Sequence, residues 1–116
     1  MSLKEEIDIS IAYSSAVAID SAGLHELSEA LAGGRKIPHS LDRIKRIKKI
    51  LDLTKWPEDL GSKSMELKTV VNDMVNAFDE ENEEKVKELA PQFHASYHRL
   101  CNSFYDWLLA RNSQRS

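Results

Sequence analysis

Towards the C-terminal end of this 116-residue chain, His94, His98, Cys101 and Tyr105 follow one another by four, three and four residues. On a helix that spacing places all four side chains on one face. Two imidazoles one turn apart can converge on a single ion, and zinc, nickel, copper and iron all accept imidazole nitrogen. Cys101, a further turn along, offers a thiol as an additional ligand. The rest of a metal shell must come from another helix, and His25 with Glu29 repeats the four-residue spacing there. The expected ligand set is therefore His94, His98, His25, Glu29 and Cys101. The Glu-x-x-His pattern of carboxylate di-iron proteins is absent, because Pro91, Ala95 and Ala22 stand three residues before His94, His98 and His25. Packing is the competing account: a lone cysteine among aromatics is commonly a small buried hydrophobe.

Other chemistry is thinly represented. Arg35, Lys36, Arg43, Lys45, Arg46, Lys48, Lys49 and Lys55 form a basic stretch that could neutralise phosphates. No aromatic residue interleaves with those bases, and the third helical segment carries Glu66, Asp73 and Asp79, which suits nucleic acid poorly. Nucleic acid is therefore not an expected partner. Gly33-Gly34-Arg35-Lys36 follows a helical pattern and lacks the full phosphate-loop spacing, so it is a helix stop and turn. Asp20 lies near Ser14, Ser15 and Ser21, a polar group in a run of small residues, and is expected on the surface. His98 and Cys101 sit mid-helix without an oxyanion hole or cleft in view, which argues against an enzyme.

Composition sets the frame for these residues. With 41% hydrophobic and 30% charged residues, the chain has the make-up of a soluble globular protein. Four glycines and three prolines are too few for the turns of an all-β fold. A single cysteine cannot close an internal disulfide, so the fold needs no oxidising compartment. The apolar run from Ile11 to Ile19 is bracketed by Asp8 and Asp20 and is too short to span a bilayer. Glu5 and Glu6 stand where a secretory signal would carry positive charge. The expected location is cytoplasmic. The net charge of −3 conceals segregation: residues 1–34 carry −5, 35–55 carry +6, 58–88 carry −6 and the remainder +2. Neighbouring elements of opposite sign favour adjacent packing.

Hydrophobic periodicity predicts four helices. The first runs from about Lys4 to Ala32, rich in small residues at first and then amphipathic through Leu24, Leu27 and Leu31, and ends before Gly33-Gly34. The second starts at an N-cap Ser40, with Pro38 just outside it, and runs to about Leu53 on the stripe Leu41, Ile44, Ile47, Ile50 and Leu51. A third follows Gly61, capped by Ser62 or Ser64, on Leu67, Val70, Val71, Met74, Val75 and Phe78. After an acidic connection from Asp79 to Glu84, the seam Val86, Leu89, Phe93, Tyr97, Leu100, Phe104 and Trp107 marks the fourth. Its periodicity continues across Pro91, where a kink is expected.

The expected fold is thus all-α: an antiparallel up-down four-helix bundle, two long helices (first and last) with two shorter ones. Residues 1–111 form its single domain and 112–116 a frayed tail. The long helices, about 45 Å, outreach the second, about 21 Å, and leave apolar surface for a second copy to cover. These features favour a non-enzymatic, self-associating interaction or regulatory module, a homodimer with a protein partner. The alternative is a transition-metal-binding bundle built on the His94/His98 pair.

Overall fold

The computed structural model describes residues 2–35 and 39–115, with side chains as far as residue 111. All regular structure among them is helical, in five helices where periodicity predicts four. Helix α1 spans Leu3–Ser21, α2 Leu24–Ala32, α3 Ser40–Leu53, α4 Gly61–Asp79 and α5 Glu83–Arg115. The expected Pro38 flank and Lys36 lie outside the described residues.

The extra helix comes from a break inside the predicted first one. Ser2 caps α1 by accepting the Glu5 amide at 3.2 Å, and Glu5 and Glu6 complement the positive end of the helix dipole. Nineteen residues later the chain turns at Ala22-Gly23, where Gly23 adopts φ +85°. An L-residue pays a steric cost in that left-handed region and glycine does not. The Gly23 amide donates to the Asp20 carbonyl at 3.0 Å, which closes α1, and α2 starts afresh at Leu24. At the end of α2 the expected Gly33-Gly34 stop is present: Gly34 has φ +73°, and the Arg35 amide returns to the Ala30 carbonyl at 2.8 Å.

Two expected caps are placed differently. His39, at φ +64°, takes the N-cap position of α3, so Ser40 becomes the first helical residue. Helix α4 continues directly from a single 3₁₀ turn at Glu58–Leu60, and neither Ser62 nor Ser64 caps it. Ser64 instead donates back to the Gly61 carbonyl at 2.9 Å. The acidic connection shrinks to Glu80, Glu81 and Asn82, with Glu81 left-handed at φ +55° and Asn82 accepting the Lys85 amide at 3.1 Å. Pro91 lies within one continuous helix of 33 residues. At 1.5 Å per residue α5 is about 50 Å long, which matches the longest dimension of the molecule, 50 Å against 21 and 20 Å across.

Cross-contacts fix the helix directions. Glu66 of α4 pairs with Arg99 of α5 on either side of the short turn at 80–82, so the two run antiparallel. His25 of α2 meets His94, and Ala16 of α1 meets Tyr97, so both N-terminal helices run against α5. A Cβ on Gly23 would stand 3.4 Å from Arg43 near the start of α3, and Ser15 meets Thr54 just beyond its end at 2.6 Å, which sets α3 antiparallel to α1. The core is continuous along α5: Phe93, Leu100 and Phe104 are sealed against Leu24, Leu27, Ile44, Ile47, Leu67, Val71 and Met74. Each such side chain contributes about 1.5–3 kcal/mol of transfer free energy. Helix α1 is the exception, because Leu3, Ile7, Ile11 and Val17 remain between 46% and 74% exposed.

Candidate metal centre

The three histidines of the metal set come together between α2 and α5. His25 sits between Leu24 and Leu27, both fully buried, so the backbone of α2 is pinned on either side of it. On α5, Phe93 and Tyr97 are buried and hold His94 at the surface of the core with His98 one turn beyond. His25 Nδ1 lies 3.0 Å from His94 Nε2, and His94 Nε2 lies 2.8 Å from His98 Nε2. One ring nitrogen from each residue falls within 4.8 Å of the others, the only such group of three metal-binding side chains among the described residues. His25 and His94 are half-buried and His98 is exposed, so the cluster is partly covered at its base and open on the His98 side. The Tyr97 ring, 5.8 Å from that of His25 and nearly perpendicular to it, closes the base.

Hydrogen-bond accounting explains what the arrangement can do. Asp20 Oδ1 lies 3.2 Å from His25 Nε2; a proton on that nitrogen would be donated to the carboxylate and would leave Nδ1 with its lone pair. Neutral His94 can then offer one Nε2–H to two acceptors, His25 Nδ1 and His98 Nε2. A single proton serves three nitrogens. A cation at the same point would engage all three nitrogens once the His94 proton moves to Nδ1. Tetrahedral coordination at the usual metal–nitrogen length needs ligand atoms about 3.4 Å apart, so the two short edges must open by roughly 0.5 Å and the long edge, up to 4.8 Å, must close. Burial, with His98 and His25 close by, holds the His94 imidazole below the ordinary histidine range and so favours its neutral form. Imidazole-only ligation suits zinc, nickel, copper or iron and not magnesium or calcium, which take oxygen.

Two members of the expected set fall outside the cluster. Cys101 lies one turn further along α5, buried at 7% exposure, and its thiol interacts with the Tyr97 hydroxyl. Burial pushes that thiol up from its ordinary value, away from the thiolate a metal needs. Glu29, one turn beyond His25 on α2, is exposed and reaches His94 only through its charge, which favours the protonated imidazole. Asp20 is exposed, as expected, and its carboxylate also lies against His25, a contact the sequence reading does not foresee. Tyr97, read from the sequence as seam, also donates to the Ala16 carbonyl at 3.3 Å and ties α1 to α5 beside the cluster.

Compared with protein-family models, curated proteins and solved structures, the chain matches none.

Proposed function

We propose that this protein binds a transition-metal ion through His25 Nδ1, His94 Nε2 and His98 Nε2. The observation that carries the reading is the convergence of three imidazole nitrogens from two helices, with His25 and His94 separated by 69 residues in sequence. A pair on one helix turn arises readily from amphipathic spacing. A third ring aimed at the same point from another helix does not follow from that spacing. Three neutral ligands leave at least one coordination position open to solvent. Titration calorimetry of the metal-free chain with zinc, nickel and copper tests the reading. One ion per chain is expected, lost in His94→Ala and His98→Ala variants. A chain that takes up none of the three ions would end it.

Self-association, the expectation drawn from helix lengths, has a separate observation in its favour. Leu3, Ile7 and Ile11 line an open groove on α1 that continues through Ser10, Ser14, Ser15 and Ala18 to Ile50 of α3. The bulky half and the small half of this face are complementary when a second α1 lies antiparallel on it. Sedimentation equilibrium distinguishes the outcomes: twice the 13.2 kDa chain mass supports the reading, and a monomer at micromolar concentration removes it.

A further inference from the structure

The carboxylate of Asp20 belongs to α1, whereas the histidine it touches belongs to α2. On an uninterrupted helix, residues five apart are separated by about 140° around the axis and cannot meet. Asp20 and His25 meet because the chain turns at Ala22-Gly23 between them. Gly23 permits the turn through its φ of +85°, and a Cβ there would stand 3.4 Å from Arg43 Nη1. The break therefore does more than end a helix: it brings the Asp20 carboxylate, in the last turn of α1, beside His25 in the first turn of α2.

We propose that Asp20 is a positioning residue for the metal centre, a carboxylate that selects the His25 tautomer and so makes Nδ1 the ligand atom. This inference rests on the metal-binding reading. Without the Asp20 contact, the His25 proton is free to occupy either nitrogen, and the Nδ1–H form presents a proton where the ion must sit. The carboxylate also restricts rotation of a ring whose side chain is 43% exposed. Outer partners of this type commonly change metal affinity by about 10–100-fold on removal. Asp20 does not itself reach the ion, because it faces Nε2, across the ring from the ligand atom. Its contribution is orientation of His25.

Two measurements test this separately from metal binding itself. In metal-free protein at neutral pH, long-range proton–nitrogen correlation spectra of ¹⁵N-histidine-labelled chain report which nitrogen of His25 carries the proton. The Nε2–H form is expected in wild type and a mixture in Asp20→Ala. Zinc titration should then show affinity weakened about 10–100-fold in Asp20→Ala. Asp20→Asn keeps an acceptor oxygen and should restore both the tautomer and most of the affinity. Gly23→Ala, with native helical content checked by circular dichroism, should behave like Asp20→Ala. An Asp20→Ala chain with wild-type zinc affinity and an unaltered His25 tautomer would overturn the role of Asp20 and leave the metal site standing. Wild-type protein that binds none of zinc, nickel and copper would remove the metal site, and this inference with it.

Discussion

His94 is the ligand on which the centre depends, because its Nε2 makes both of the short contacts. Its replacement by alanine leaves His25 and His98 on separate helices with no nitrogen between them. The consequence can be read as metal-dependent stability. An ion that binds only the folded chain, at a hundred times its dissociation constant, adds about 2.7 kcal/mol. Unfolding entropy scales with length and is about 0.24 kcal/mol/K for 116 residues. Wild-type protein should therefore melt about 11 °C higher with saturating zinc than without it. That figure is a ceiling, because histidines of the unfolded chain also bind zinc and draw the equilibrium back. If loss of the central ligand weakens binding a hundredfold, the same zinc contributes only about 0.4 kcal/mol, or about 2 °C. Thermal unfolding followed by circular dichroism, with and without zinc, supplies the four numbers. Equal zinc shifts in wild type and His94→Ala would place the ion elsewhere, and no shift in wild type with zinc, nickel or copper would refute the site.

Phe93 is fully buried beside His94, and Phe93→Ala should cost about 3–5 kcal/mol; urea unfolding with an unchanged m-value would measure it, and a cost under about 1 kcal/mol would contradict the packing. The Arg99 guanidinium holds the Glu66 carboxyl below its ordinary 4.5, so the pair's contribution to stability is complete above that value and is lost as pH falls through the lower folded value. Glu66→Gln should therefore flatten the acid limb of a stability–pH curve and leave its slope near neutrality unchanged; an unaltered acid limb would show that the pair contributes nothing there. Cys101 is buried with its thiol raised, so a disulfide reagent should label it only as fast as the chain opens. Rapid labelling of folded protein would contradict its burial.

Much of this architecture was legible because it rests on periodicity. Leu67, Val70, Val71, Met74 and Val75 are spaced as a buried stripe and are buried. The seam Val86, Leu89, Phe93, Tyr97, Leu100 and Phe104 is likewise inside, and it runs unbroken across Pro91. The shared face of His94 and His98 follows from the same rule. Cys101 shows the limit of that rule, since sharing an angular face does not mean sharing a depth. Its position one turn further along carries it into the core cluster, where the Tyr97 hydroxyl is its polar partner. Glu29 fails for the opposite reason, because its place on α2 leaves it exposed and outside the group of three.

The break at Gly23 is the feature that periodicity conceals and local chemistry could have revealed. Ala22 and Gly23 end a run of small residues, so glycine there reads as a position for close helix packing within one long helix. The amphipathic repeat of Leu24, Leu27 and Leu31 reads as a continuation of that helix because each new residue is again apolar at the proper interval. Yet a glycine followed directly by a large apolar residue is also the signature of a left-handed helix terminus, in which the apolar side chain packs back against the last turn. Leu24, fully buried immediately after Gly23, fits that signature. Read as a terminus, Gly23 removes the 140° separation that makes contact between Asp20 and His25 geometrically impossible on a straight helix. A carboxylate two residues before the turn and an imidazole two residues after it then become candidates for the same hydrogen bond. The His25–Asp20 contact was therefore hidden by one conformational assignment, the sign of φ at a single glycine, and not by any lack of chemical information in the side chains themselves.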